Sequence, residues 1–283
     1  MATKKTPFKV AFQGEPGAFS EQAIRQFRVP RTISIPKPRF EDVFRALAAG
    51  EADAAALPME NTLAGSVHEN YDLLLRYDFE ITAETNVRIV HHLIARPGVR
   101  FSAVRRVYSH PVALNQCQDF FARHRRVERI PYYDTAGSVK MLMSEKPEGA
   151  AAIASELAAR LYGGNILKRE IEDDRRNFTR FFLLEPRGAG PRGRGGAWKT
   201  SLVFSTRNAP GSLFRALGAV ALRDLNLAKI ESRPRRGKPW EYMFYLDVLA
   251  HREEPRMKNA LSHLGELADF LRVLGSYRAA IGR

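Results

Sequence analysis

Residues 175–185 read Arg-Arg-Asn-Phe-Thr-Arg-Phe-Phe-Leu-Leu-Glu. The second half is apolar enough for a buried strand, but Asn177, Thr179 and Arg180 stand among aromatic residues in the first half. Burying an amide, a hydroxyl and a guanidinium costs free energy unless each finds a partner. All three carry hydrogen-bond donors, and an anionic small molecule would satisfy them together. Strand side chains alternate, so Asn177, Thr179 and Phe181 share one face and Phe178, Arg180 and Phe182 the other. The first face is read as lining a cleft. Arg180 then either anchors a nearby carboxylate such as Glu60 or reaches a ligand from a bent backbone.

More polar residues gather wherever an apolar run gives way to a helical pattern. "QGEPGAFSEQA", "MENTLAGSVHEN", "YSHPVALNQC", "YDTAGSVKML" and "IASELAARLYGG" are five such junctions. Helix N-termini present unpaired N–H groups and the positive end of the helix dipole, so they bind anions. In open α/β sheets ligands lie beyond the carboxyl ends of the strands. Junctions rich in Ser, Thr and Gly therefore suggest a pocket for a small anion, with a dianion as a natural occupant. Each junction also has a purely local explanation. Ser66 to Glu69 matches a capping box, and Ser20, Ser109 and Ser155 could cap their helices. Gly14, Gly17, Gly65 and Gly137 could be turn residues. There is no P-loop, dinucleotide fingerprint or Ser–His–Asp order. His91 and His92 lie in a strand-like run without acidic or Cys partners at ligand spacing, so no metal site is expected.

The elements that must hold these residues alternate. Before residue 186 the pattern gives strands at 8–14, at "ADAAALPM" (52–59), within 79–96, and at "VRRVYS", "ERIPYY" and "GAAAIAS". Helices fall between them at 20–28, 39–49, 67–77, 111–124, 137–145 and 155–162. Such alternation implies α/β layers with mainly parallel sheets. After "EPRGAGPRGRGGAW", a Gly- and Pro-rich stretch read as a flexible linker, the order is strand, helix, strand, strand, helix, strand. That βαββαβ layout is ferredoxin-like.

Composition narrows the partners. The net charge is +14 and the pI about 10.1, which suits a small anion or a nucleic acid. The Arg-Gly run lacks interleaved aromatic residues, so nucleic acid is not the expected partner. No apolar run is long enough for a membrane span, and "MATKKTPFKVAFQG" lacks the apolar core of a secretory signal. The single cysteine, Cys117, excludes an intramolecular disulfide framework. A cytoplasmic setting is expected.

The motifs "GEPGAFSEQA", "LPMENTLAGSV", "YSHPVALNQC", "YDTAGSVK", "AAIAS" and "NFTRFFLL" occur in the order seen in prephenate dehydratases, and the C-terminal region resembles their appended ACT regulatory domain. The resemblance spans roughly residues 7–280. Met59 stands where that family usually has Ile, and Ala64 where it often has Glu or Gly. The resemblance implies two α/β lobes like those of periplasmic solute-binding proteins, covering 1–186 (1–85 with 175–186, and 86–174). A linker at 187–198 and an ACT domain at 199–283 would follow. It implies decarboxylating dehydration of prephenate to phenylpyruvate, without cofactor or metal. Thr179 would be the catalytic residue. Asn61, Thr62, Ser66, Thr135, Ser138, Ser155, Asn177, Arg180 and Phe181 would bind substrate. The alternatives are an arogenate dehydratase or a non-enzymatic amino-acid sensor.

"NAPGSLFRALGAVALRDLNLAKIESRP" resembles the effector motifs of phenylalanine-binding ACT domains. Asn208, Pro210, Gly211, Leu213, Glu231, Ser232 and Arg233 would then form an allosteric L-phenylalanine site between paired subunits, in a homodimer or homotetramer built through ACT and catalytic domains. Leu213, Leu217, Val220 and Leu225 are expected on the apolar side of the first ACT helix. A module that only dimerises is the alternative.

Overall fold

The computed structural model describes residues 6–193, 196–235, 237–238 and 240–280. The chain groups into two compact units, residues 1–77 with 85–183 and residues 78–84 with 184–283. No helix among the described residues is long and apolar enough to cross a membrane.

The first sheet opens with β1 (Phe8–Gln13), whose Val10, Ala11 and Phe12 are fully buried. Helix α1 (Phe19–Gln26), strand β2 (Thr32–Lys37) and helix α2 (Phe40–Ala48) follow. In α2 the residues Val43, Phe44, Ala46 and Leu47 form the one buried face that a 3.6-residue period dictates. Strand β3 (Ala54–Asn61) is apolar until its polar end, where the short β4 (Gly65–Ser66) turns back on it, and α3 (His68–Arg76) leads to β5 (Phe79–Arg88). The sheet order is β2-β1-β3-β11-β5, with β1 parallel to both β2 and β3. Strand β11 is Phe178–Pro186.

The second sheet has the order β10-β6-β9-β7-β8. Its strands are β6 (His92–Ala95), β7 (Arg106–Ser109), β8 (Glu128–Pro131), β9 (Ala150–Ala154) and β10 (Asn165–Lys168). The all-alanine-and-isoleucine β9 lies at its centre and is buried throughout. This sheet is mixed: β7 pairs β8 and β9 in parallel, but β6 runs antiparallel to β9 and β10. The expectation of mainly parallel pairing fails here because of β6 alone: β7, β8, β9 and β10, the last reached through α7 (Glu156–Tyr162), share one direction, and β6 runs against both of its neighbours. Strands β2 and β10 had no clear sequence signal; both are short and only half-buried.

The expected helix over 111–124 is broken into α4 (Pro111–Asn115) and α5 (Gln118–Arg123). Gln116 and Cys117 leave helical geometry (φ −86°, ψ 2° and φ −127°, ψ 36°). Asp173 causes the break: its carboxylate accepts the N–H groups of Gln118 (2.7 Å) and Asp119 (2.9 Å), capping α5 from a distant segment. Its own N–H donates to Gln116 O (2.8 Å). Helix α6 (Thr135–Glu145) is capped by Asp134, which accepts from Gly137 N (2.6 Å).

The remaining elements are β12 (Trp198–Ser205), α8 (Ser212–Ala221), β13 (Leu227–Pro234), β14 (Tyr242–Val248), α9 (Pro255–Leu267) and β15 (Phe270–Arg278). They form the βαββαβ layout, with an antiparallel sheet ordered β13-β14-β12-β15. Its core joins Leu202, Phe204, Leu246 and Val248 to Ala216, Val220 and Leu264, with Leu213, Leu217 and Leu225 packed against it. Within this second unit the described portion of the expected linker is held: Arg192 N–H donates to Thr82 O (2.8 Å) and its guanidinium pairs with the buried Glu185. Arg194 and Gly195 of that stretch lie outside the described residues.

Candidate active site

The two sheets of the first unit are joined by crossings at 88–92 and 169–177, and backbone groups lace the crossings together. Ile89 N–H donates to Asn177 O (2.8 Å) and Ile171 N–H to His91 O (2.9 Å). Glu172, whose side chain is fully buried, accepts His91 N–H (3.0 Å) on one oxygen and Arg88 (3.3 Å) on the other. The start of β11 is therefore fixed beside this joint.

At the end of β3, the Asn61 amide organises the neighbouring polar groups. Its Oδ1 accepts the backbone N–H groups of Leu63 (3.0 Å) and Ala64 (2.8 Å). Backbone donors cannot be inverted, so Nδ2 must face the other way. There it meets Asn177 Oδ1 (2.7 Å), Thr179 Oγ1 (2.9 Å) and Phe178 O (3.1 Å). The one side-chain hydrogen bond to Thr179 among the described residues is thus a donation into its oxygen. A hydroxyl that accepts from a protein amide keeps its own hydrogen for something else. Asn177 is fully buried, and its Nδ2 has no hydrogen-bond partner among the described residues. A buried orphan donor costs about 1–3 kcal/mol unless a ligand or water takes it. Thr179 and Asn177 together offer two unused donors.

Gln116 joins this cluster from the second sheet's side. Its Nε2 lies 3.5 Å from Asn61 Oδ1 and its Oε1 is 2.9 Å from His91 Nε2. Sequence reasoning passed over Gln116 by placing it in the middle of an uninterrupted helix; the break that exposes it is set by Asp173, 57 positions away, which leaves no local trace. Burial pulls the His91 pKa below its ordinary value, so its ring is neutral.

The other candidates divide. Thr62 spends its hydroxyl locally, donating to Arg176 O (2.8 Å) and accepting Phe178 N–H (3.0 Å). Ser155 is buried, caps α7 by accepting Ala158 N–H (3.0 Å) and donates to Gly17 O (2.7 Å). Both are therefore structural ties rather than open ligand donors. Ser138 is buried and donates to Thr135 O (2.6 Å), so those two stay together on the first turn of α6. Phe181 is core, packed with Ala23, Val87 and Ile89. Arg180 follows the ion-pair alternative, 3.6 Å from Glu60, with its guanidinium over the Phe182 ring at 4.9 Å. Ser66 does not occupy the cap position of α3, which starts at His68 with Val67 as its cap residue.

The loop after β1 ties the two lobes on another side. Tyr162 donates to Pro16 O (2.9 Å), while Tyr133 (3.0 Å) and Lys140 (2.9 Å) bond the Glu15 carboxylate. Gly17 there has φ +90°, and a Cβ on it would lie 2.8 Å from Ala158 Cα. Burial raises the Tyr162 pKa to about 12, so the phenol remains a donor. A separate cleft of about 440 Å³, lined by Phe19, Arg88, Val90, His92, Glu156 and Arg169 among others, contains none of the expected substrate residues. Cys117 is buried and its thiol pKa is pushed up by desolvation, so it is no nucleophile.

In the second unit, Gly211 opens α8 at φ +75°, a left-handed conformation that favours glycine. Asn208 and Pro210 lie in the exposed loop before it, and Leu213 packs into the core. Glu231, Ser232 and Arg233 lie on the edge strand β13, separated from β12 by β14. The Glu231 carboxylate pairs with Lys229 at 2.8 Å.

The chain matches the family description of prephenate dehydratase over residues 10–189 and that of the ACT domain over 200–266. It is 44% identical over 278 residues to arogenate dehydratase/prephenate dehydratase 2 of Arabidopsis thaliana, covering 95% of this chain and 72% of that one. The structure of a prephenate dehydratase from Arthrobacter aurescens in complex with L-Phe superposes with a TM-score of 0.87 at 34% identity, covering 96% and 90% of the chains. A protein described as a novel type of quorum-quenching acylase, GqqA, gives the same TM-score at 35% identity, covering 96% and 98%. These relatives overturn the expected cytoplasmic setting. Arabidopsis proteins 40–44% identical to this chain are chloroplastic, so composition and a single cysteine do not identify the compartment. The sensor alternative also falls, since the matched segment is an enzyme domain. The chain belongs to the prephenate dehydratase family: it is a dehydratase, a lyase, with a C-terminal ACT domain.

Proposed function

We propose that the protein converts prephenate to phenylpyruvate and that L-phenylalanine controls it by feedback. The observation that carries this reading is the orientation of Asn61, which makes Thr179 Oγ1 an acceptor and frees its hydrogen. In the reaction the C4–O bond breaks with its electron pair on oxygen, and the ring carboxylate leaves as carbon dioxide while its C–C pair enters the ring. Aromatisation supplies the driving force; the difficulty is the charge on the departing hydroxyl. Thr179 donates a hydrogen bond to that oxygen as the charge develops. An alcohol is too weak an acid to protonate it beforehand, so the contribution is electrostatic stabilisation. Asn177 Nδ2 is a second donor. Ser66, Thr135 and the N-terminus of α6 are suited to hold the carboxylates. Arg180 acts through Glu60, and Thr62, Ser138, Ser155 and Phe181 shape the site.

Arogenate, with an amine in place of the ketone, is the second reading, favoured by a relative named for both activities. For regulation, Asn208 and Gly211 present backbone N–H groups to the effector carboxylate from a loop that Pro210 stiffens, opposite Glu231, Ser232 and Arg233 of a paired subunit. Leu213 supports the loop from the core. The exposed Phe214 and Leu222 of α8 support assembly into a dimer or tetramer. The division into a catalytic domain over 1–186, a linker over 187–198 and a regulatory domain over 199–283 belongs to the same proposal. The test is turnover of prephenate and, separately, of arogenate, each with and without L-phenylalanine. Phenylpyruvate is read by its absorbance in base and phenylalanine by chromatography. Prephenate turnover that falls with L-phenylalanine supports the proposal. Turnover of arogenate alone overturns the substrate, and indifference to L-phenylalanine overturns the feedback.

A further inference from the structure

The hydrogen bonds around Asn61 fix more than Thr179. Asn61 Oδ1 faces two backbone donors, so the end of Gln116 nearest to it must be the amide nitrogen. Gln116 Oε1 then faces His91 Nε2 at 2.9 Å, and that nitrogen must carry the ring's hydrogen. The neutral tautomer follows from the backbone of residues 63 and 64 through two side-chain amides. His91 is 1% exposed. Its backbone is clamped on both sides, the N–H by Glu172 and the C=O by Ile171 N–H, and its ring packs against Phe19 edge-on at 5.7 Å. The ring is thus held from several directions, and its one side-chain hydrogen bond among the described residues is with Gln116.

We propose that His91 is a positioning residue of the dehydratase site: its Nε2–H holds the Gln116 amide so that the amide hydrogens face Asn61 and the bound substrate. The inference rests on the dehydratase reading above. Without the imidazole donor, Gln116 Oε1 loses its partner on the buried ring, and its half-buried amide turns to find another. Asn61 then loses its contact from Gln116, and the donor to the substrate is misplaced. A half-buried hydrogen bond whose partner has gone changes the geometry of the group left behind, and the loss falls on the chemical step.

The test compares His91→Phe, which keeps the ring and the edge contact with Phe19 but has no donor, with His91→Gln, whose amide reaches the same place with an N–H. For prephenate, His91→Phe is expected to lower kcat roughly tenfold, the scale of one lost hydrogen bond, with KM within about twofold. His91→Gln is expected to recover most of that loss. Thermal melting checks folding. Nitrogen-15 NMR of the wild-type protein near neutral pH reads the tautomer directly and is expected to show Nε2 protonated and Nδ1 bare. A ring protonated on Nδ1 alone overturns the proposal, as does a folded His91→Phe with wild-type kcat or a His91→Gln as impaired as His91→Phe. If the wild-type protein turned over neither substrate, the dehydratase reading would fail, while the tautomer would still decide whether His91 holds Gln116.

Discussion

Asn61→Asp replaces an amide by a carboxylate of the same shape and tests the central assignment. One carboxylate oxygen keeps the two backbone donors at Leu63 and Ala64. The other replaces the Nδ2 hydrogens and confronts Asn177 Oδ1 (2.7 Å), Phe178 O (3.1 Å) and Thr179 Oγ1 (2.9 Å). Phe178 O cannot adapt, but Thr179 can rotate its hydrogen onto the new carboxylate and Asn177 can turn its amide over to present Nδ2, which has no partner among the described residues. Either way the pair has one donor fewer for the departing hydroxyl. Loss of one such donor costs on the order of 10²–10³ in kcat, about 2.7–4 kcal/mol. The substrate dianion also meets an added negative charge, so KM rises. Asn177 Oδ1 loses the amide hydrogen that it accepts, and its side chain must turn over to meet the carboxylate. Protonation of the introduced carboxylate restores an O–H on that side, so the deficit should shrink as pH falls. The assay is phenylpyruvate formation across pH, with melting to confirm the fold. A folded Asn61→Asp whose kcat stays within about threefold of wild type would refute the assignment of Thr179 and Asn177 as the donor pair.

Ser155→Ala removes the α7 cap and the tie to Gly17 together; it should cost about 1–2 kcal/mol in denaturant unfolding and change kcat/KM little. A large loss of kcat/KM at unchanged stability would return Ser155 to the substrate. Gly17→Ala places a Cβ 2.8 Å from Ala158 Cα at φ +90°; it should lower the melting temperature more than Ser155→Ala does, and equal melting would show that the loop moves freely. His91, His92 and His110 all have their pKa pulled below 6.5 by burial. The unfolded chain binds more protons than the folded one once pH drops below that value, so this contribution is complete above 6.5 and is lost as pH falls toward the folded values. Melting temperatures measured from pH 8 to 5 should be flat and then decline, and a rise on acidification would contradict the burial argument. Gly211→Ala, which strains a φ of +75°, should weaken the response to L-phenylalanine in the turnover assay while leaving basal kcat unchanged; an unaltered response would remove that loop from the effector site.

What could be read from the sequence was whatever depends on neighbours along the chain. The period of α2 and the apolar run of β9 are local, and both elements appear where their patterns put them. So is the alternation that separates Thr179 and Phe181 from Arg180 and Phe182. The strand breaks no rule there, and Arg180 lies over Phe182 as the period requires. What could not be read was set by partners far away in the chain. Ser155 and Ser66 occupy similar junctions in the sequence. Ser155 became a cap tied to Gly17, and Ser66 became half of the two-residue strand β4 paired with Glu60. The local pattern points the wrong way, since Ser66 carries the capping-box spacing to Glu69 and Ser155 does not. Thr62 was read as a ligand donor because its chemistry allows it, but the polypeptide of β11 reached it first.

The cluster around Asn61 is likewise set by partners distant in the chain. A hydroxyl or an amide can donate or accept, so residue type leaves its role open. Only a donor that cannot be reversed settles it, and here the backbone N–H groups of Leu63 and Ala64 provide two. From them the direction of each bond follows in turn: Asn61 gives to Thr179, Gln116 gives to Asn61, and His91 gives to Gln116. Every member points its hydrogens toward Thr179, which leaves the threonine as the group with a hydrogen to spare. Hydrogen bonds aligned in one direction polarise one another, so the donor strength of Thr179 depends on groups that never touch the substrate. Under the proposed dehydration, a cluster of this kind supplies a polarised donor to the departing hydroxyl without a charged acid.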